Sequence, residues 1–371
     1  MSPIEPPAVR ASGSAFDDAG FGATPAVDAS TASRAISDVA AAGEFLPPPW
    51  LRNPHIQSIY PSLQLLRPRV LKSTSGVVAA SQRLVLECDD GVRLLAFQAR
   101  QHESGHGPAQ RLAVLLHGWE GSSSSPYVLS LAQHLFDRGY DVVRLNLRDH
   151  GATHHLNREL FHSCRLPEVV GAVRTLAQQF EGLPMVLAGF SLGGNFMLRV
   201  AAHREARDLQ IERVIAVSPV LDPAVTMNTL EHGPRLYHSY FVRKWSRSLA
   251  KKQQAWPDAY DFEELLRIRS LREMTRQLVL RHTEYTSVEE YLAGYAITGD
   301  RLTTLSAPAT VLTSLDDPII DAADLARVAR LPRLSIVTTA YGGHCGFLEN
   351  LGDSNWIDAQ TVKLLSRNPD N

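Results

Sequence analysis

Cysteine is scarce in this chain: Cys88, Cys164 and Cys345 are the only three among 371 residues. They are too few and too far apart for a disulfide framework or a four-ligand zinc site, so a reducing, cytoplasmic setting is expected. Excess charge of either sign is missing as well. With 37 Lys and Arg against 39 Asp and Glu the formal net charge is −2, which gives no reason to expect nucleic acid as a partner. No apolar run reaches the roughly 20 residues that a membrane-spanning helix needs. The opening stretch MSPIEPPAVRASGSAFDDAG has no basic segment followed by an apolar one, so no secretory leader is expected. Residues 1–43 are rich in Ala, Ser, Pro, Gly and Asp. Such a segment buries too little to offset its ordering entropy and reads as a disordered tail.

What is present begins near FLPPPWLRNPHIQSIYPSL (45–63), where aromatic and aliphatic residues appear among prolines. In SQRLVLECDDGVRLLAFQAR two alternating runs flank Asp90-Gly91 and predict a β-hairpin. Strand and helix patterns then alternate. RLAVLLHG, DVVRLNL, PMVLAGF and IERVIAVSP are short apolar runs, as expected of strands buried on both faces. Between them SPYVLSLAQHLFDRGY, LPEVVGAVRTLAQQF and LGGNFMLRVAAHREA carry helical spacing. Residues of about 221–300 break the rhythm with helix-rich, polar sequence. It resumes with a strand in APATVLTSLDD, a helix in DAADLARVAR, a strand and loop in RLSIVTTAYGGH and a helix in NWIDAQTVKLLSR. The pattern predicts an α/β fold: a mostly parallel central sheet with helices on both faces and a helical cap insertion at about 221–300, within a domain spanning 44–371.

In GFSLGG (189–194) Ser191 stands where a strand ends and a helix begins. This is the Gly-x-Ser-x-Gly arrangement in which a sharp turn presents the hydroxyl clear of the backbone. The bland alternative is a glycine-rich turn with Ser191 as a helix cap. A serine nucleophile needs a histidine base and a carboxylate to orient it, in loops after later strands. His344 lies in such a loop, in AYGGHCGF, and Asp316 and Asp317 directly follow the strand in TVLTSLDDPII. Asp317 precedes Pro318, which biases it towards an extended backbone and makes it the favoured acid, with Asp316 as the fallback. Leu192, next after the serine, and Trp119, in LLHGWEGSSSSPYV, are the expected oxyanion N–H donors. Ser124 and Ser125 are expected to cap the following helix.

The residues together resemble the α/β-hydrolase superfamily and, within it, the YheT-like branch related to eukaryotic abhydrolase-domain lipid esterases. The resemblance is carried by PWLRNPHIQSIYP, LLHGWEGSSSSPYV, LNLRDHG with the later ELFHS, GFSLGGN, TSVEEYLAGYAI, SLDDPII and GGHCGFL, and it spans roughly residues 45–365. It implies serine-dependent ester hydrolysis by Ser191, Asp317 and His344 with no cofactor. The substrate would be a small-molecule or lipid-like ester, with a short- to medium-chain acyl group. Asp149 stands where many relatives have glycine, and DHGATHHLNREL is longer and richer in histidine.

Two further features admit other readings. His150, His154 and His155 fall close together and invite a metal site, but zinc hydrolases need ligands from other strands as well, and a polar loop near the pocket mouth is the better account. In RLYHSYFVRKWSRSLAKKQQAW, Tyr237, Phe241, Trp245 and Leu249 share one helical face. Arg243, Lys244, Arg247, Lys251 and Lys252 lie largely on the other side. Such a helix either packs its aromatics over an acyl pocket as a cap or touches a membrane surface transiently. An acyltransferase using the same acyl-enzyme and a non-catalytic lipid-binding protein are the alternatives to hydrolysis.

Overall fold

The computed structural model describes residues 45–62, 67–352 and 355–365. The expected disordered tail at 1–43 lies outside them, as do both ends of the 44–371 domain. Eight strands, β1 (Ser81–Glu87), β2 (Arg93–Ala99), β3 (Arg111–Leu116), β4 (Tyr140–Leu145), β5 (Met185–Phe190), β6 (Ile211–Val217), β7 (Ala309–Ser314) and β8 (Leu334–Thr339), form one sheet in the order β1-β2-β4-β3-β5-β6-β7-β8. β2 pairs antiparallel with both β1 and β4, and every other pairing is parallel. The Asp90-Gly91 hairpin forms as expected, with both residues at positive φ, 54° and 71°.

Continuous apolar strands arise because helices cover both faces. Along β3, Leu112, Val114 and Leu116 join one core while Ala113 and Leu115 join the other. The first core takes α3 (Leu166–Gln179) and α4 (Leu192–Ala202), and the second takes α2 (Pro126–Phe136) and α9 (Trp356–Leu365). A short helix, α1 (Pro54–Ile59), starts at Asn53, whose side chain accepts the N–H groups of His55 and Ile56. Between β6 and β7 the cap contributes α5 (Pro223–His232), α6 (Arg235–Ala255), α7 (Leu271–His282) and α8 (Val288–Ala293).

Three local expectations need correction. DAADLARVAR forms a six-residue 3-10 segment, Ala322–Arg327, rather than an α-helix. Val328 is drawn at once into a parallel bridge with Gly299, which leaves no room for further turns. Ser125 occupies the cap position of α2, but its hydroxyl accepts the Ser122 N–H at 3.0 Å instead of a helical one, so the serines stabilise the preceding loop. Lys244 and Lys252 do not face outwards. Lys244 donates to the Glu120 carbonyl at 3.0 Å, and Lys252 is buried.

Candidate active site

At β3 the chain leaves on one side for β4 and returns on the other as β5, and ligand crevices of open α/β sheets form beyond strand ends at such a switch. Ser191 directly follows β5 there, with φ 52° and ψ −120°. A side chain on Gly189 would collide with the backbone of Gly193, and one on Gly193 with the backbone of Leu116 and His117. Only glycine lets the turn close against strand and helix this tightly. The Ser191 side chain accepts no capping hydrogen bond, which disposes of the bland reading. Its Oγ lies 2.9 Å from Nε2 of His344 instead.

His344 in turn places Nδ1 2.8 Å from Oδ2 of Asp317, whose side chain is fully buried. The other Asp317 oxygen accepts the N–H groups of Ile319 and Ile320, at 2.8 and 3.0 Å. These bonds fix the carboxylate against the ring. Asp316 instead accepts the Gly343 N–H at 2.9 Å and shapes the histidine loop. Burial alone would lower the His344 pKa, but the Asp317 carboxylate outweighs it and holds the imidazole well above its ordinary value.

The loop after β3 is pinned on both sides of Trp119. Gly118 donates to the Tyr127 hydroxyl at 3.1 Å, and its carbonyl accepts from Nδ1 of His117 at 2.7 Å. Glu120 donates its N–H to Nε2 of His150 at 3.2 Å, while Nδ1 of His150 bonds the Arg148 carbonyl at 2.6 Å. Both ring nitrogens of His150 are thereby committed to backbone partners, and His154 bonds Ser248 on α6 at 2.9 Å. No group of three or more potential metal ligands occurs among the described residues. Burial first, then His150, keeps His117 neutral, and burial holds His150 down to about 4. Burial also raises the Glu120 carboxyl to about 7, against the pull of Lys244.

Ser191, His344, Trp119 and Leu192 share one cavity, which is roofed by Phe241, Trp245 and Leu249 of α6. The Trp119 indole stacks on Phe241 at 5.1 Å and meets Trp245 edge-on at 5.2 Å. The aromatic stripe of α6 therefore packs onto the loop that carries one expected oxyanion donor. Tyr237 is the exception: it is buried, and its hydroxyl bonds Nδ1 of His55 on α1 at 2.9 Å. Leu236 and Tyr240 remain exposed on the same helix. No helix among the described residues is long and apolar enough to cross a membrane.

Sequence reasoning gave no role to α1. Ser58 accepts the His344 N–H at 2.8 Å, and fully buried Gln57 accepts the Leu348 N–H at 2.7 Å while donating to the carbonyls of Leu51 and Leu348. The segment thus buttresses the histidine loop. The family-like PWLRNPHIQSIYP run was the one signal that could have pointed to it.

Known proteins share this architecture. The Escherichia coli (strain K12) protein named "Putative esterase YheT" is 26% identical over 336 residues, 89% of this chain and 95% of that protein. Mouse phospholipase ABHD3 is 23% identical over 242 residues, which are 64% of this chain but only 58% of that protein. Among solved structures, the Pyrococcus furiosus esterase Pf2001 has the same fold, with a TM-score of 0.51 at 14% identity over 80% of this chain and 95% of that one. The family model for serine aminopeptidase, S33 (Hydrolase_4), matches residues 107–347, from just before β3 to beyond His344, and the chain belongs to that family of α/β-hydrolases.

Proposed function

We propose that the chain is a serine-dependent carboxylic ester hydrolase that carries the acyl group on Ser191. The observation that carries this reading is the run from Ser191 through His344 to Asp317, with bonds of 2.9 and 2.8 Å, at the wall of a largely apolar cavity. Ser191 Oγ attacks the ester carbonyl carbon as its proton passes to Nε2 of His344. Asp317 holds the ring in position and stabilises the imidazolium. The N–H groups of Leu192, at the start of α4, and Trp119 take the oxyanion, and each such donor is worth about 10²–10³ in rate. The carbon–oxygen bond to the alcohol then breaks, and the alcohol leaves with the His344 proton. Water deprotonated by His344 attacks the acyl-enzyme and releases the acid with Ser191 restored.

Aliphatic and aromatic lining suits a short- to medium-chain acyl or lipid-like ester, because each buried CH₂ contributes about 0.8 kcal/mol. The names of the E. coli and mouse relatives agree with ester substrates. Transfer of the acyl group to an alcohol would use the same intermediate, and product analysis with added alcohol separates the two outcomes.

The test is hydrolysis of p-nitrophenyl esters of two to twelve carbons. Ser191→Ala should abolish turnover, and Asp317→Asn should lower kcat by about 10³–10⁴. Asp316→Asn keeps an acceptor for the Gly343 N–H and should cost less than about tenfold. Equal losses in the two aspartate variants would overturn the choice of acid. A wild-type protein that hydrolyses no ester, with Ser191 unlabelled by a fluorophosphonate, would overturn the whole reading.

A further inference from the structure

The cap helix α6 has two faces, and the cavity accounts for only one of them. At roughly 100° per residue, Phe241, Trp245 and Leu249 share the inner face that roofs the site. Leu236, Tyr240, Arg243, Arg247 and Lys251 fall within about 80° of one another on roughly the opposite side. All five are exposed, Leu236 by 59% and Tyr240 by 42%. A stripe therefore runs along the outer surface of the helix, apolar at its N-terminal end and cationic beyond.

The charge of this helix is one-sided. In 21 residues α6 carries six Lys and Arg and no Asp or Glu, although the whole chain holds 37 against 39. Lys244 and Lys252 are taken up by the Glu120 carbonyl and the Asp149 carboxylate. Arg243, Arg247 and Lys251 make neither a hydrogen bond nor an ion pair among the described residues. Exposed arginines on α7 are matched, Arg272 with Glu289 at 3.4 Å and Arg276 with Glu273 at 2.6 Å. The three cations of α6 instead follow one another at intervals of four, where like charges repel. An anionic surface laid against them turns that repulsion into attraction.

The apolar end of the stripe decides which surface. One exposed apolar side chain is ordinary, but Leu236 and Tyr240 continue the cationic row towards the start of the helix. That end is tied to α1 by the 2.9 Å bond between the Tyr237 hydroxyl and His55, and Ile56, the next residue of α1, is 41% exposed. A nucleic acid would engage the cations but offers little to an aliphatic side chain. A lipid layer engages both, with headgroup phosphates at the cations, leucine at the acyl boundary and tyrosine at the interface.

We propose that the outer face of α6 docks the protein on an anionic lipid surface. Docking there sets the roof of the cavity against the lipid layer. That the docked protein draws its ester from the layer rests on the ester-hydrolase reading.

The experiment is co-sedimentation with vesicles of phosphatidylcholine alone and of phosphatidylcholine with about 30% phosphatidylserine, at about 0.1 and 0.5 M salt. Wild type should bind the anionic vesicles about tenfold or more tightly than the neutral ones, and the preference should shrink at high salt. Each cation near such a surface strengthens binding about fivefold, so replacing Arg243, Arg247 and Lys251 together by Gln should weaken it about 100-fold. Leu236→Ser should weaken binding about tenfold at either salt concentration. All four residues are exposed and stand apart from the catalytic groups, so turnover of soluble p-nitrophenyl acetate should match wild type. If a variant fails to fold, the wild-type contrast between the two vesicle types still decides. No binding, equal binding to both vesicle types, or an unaffected triple variant overturns the docking face. So does a single-stranded RNA that binds as tightly as the anionic vesicles, with Leu236→Ser without effect, since that marks a general polyanion surface. Vesicle binding without any ester turnover keeps the docking face and overturns the hydrolase reading instead.

Discussion

Removing the Lys252 ammonium should destabilise the protein by about 3–5 kcal/mol, the range for breaking one side of a buried ion pair. Lys252 sits in the last turns of α6 with its side chain only 1% exposed, and its ammonium is fully engaged. It donates to Oδ1 of Asp149 at 2.8 Å, to the Asn157 carbonyl at 2.7 Å and to the Glu159 carbonyl at 2.9 Å. The Asp149 carboxylate has one other donor among the described residues, the Phe161 N–H, which bonds Oδ2 at 2.9 Å. Burial already raises its pKa, with Lys252 opposing. In Lys252→Met the carboxylate would be stranded with that single donor.

Urea denaturation with an unchanged m-value measures the loss, and at roughly 2 °C per kcal/mol the melting temperature should fall by about 6–10 °C. The control is Asp149→Asn combined with Lys252→Met. Asparagine keeps the acceptor for Phe161, tolerates the φ of 58° at this position and carries no charge. The double variant should recover about 2 kcal/mol relative to Lys252→Met alone. A single variant within about 1 kcal/mol of wild type would refute the reasoning, and so would a double variant whose losses merely add. The pair also bears on activity, because both residues line the cavity.

Three further outcomes follow from the site. In the proposed mechanism neutral His344 is the base, and Asp317 holds its pKa well above the ordinary value, so the acid limb of kcat/KM against pH should lie above about 6.5. That limb should move down in Asp317→Asn, and a wild-type midpoint below about 6.5 would contradict the assignment. The same shift means that the His344–Asp317 contribution to stability is complete below about 6.5 and fades as pH rises through the folded-state value. Gln57→Leu should cost about 1–3 kcal/mol by stranding the buried Leu348 N–H. It should lower kcat more than it raises KM, because the histidine loop shifts while the cavity stays; a pure KM effect would count against the buttress.

Chemistry written in the local chain was legible. The turn at Ser191 needs only its glycines and its place between strand and helix, and the positions of Asp317 and His344 follow from strand order. Contacts set by distant partners were not. The His344 N–H finds Ser58 across 286 residues of sequence, and no spacing or periodicity encodes that meeting. Helical projection put Lys252 outside because it counts charge as exposed, and the buried carboxylate that reverses this belongs to another loop. From the sequence alone Asp149 is only a departure from the glycine that many relatives have. Its positive φ explains why glycine suits the position, and its bond to Lys252 explains what an aspartate adds there. The same loop also grips the segment that follows α6, where the Trp256 indole donates to the His154 carbonyl at 2.8 Å and the Tyr260 hydroxyl donates to the Arg158 carbonyl at 2.8 Å. The longer histidine-rich loop and the cap helix therefore form one unit, and substitutions in either should be read against the other.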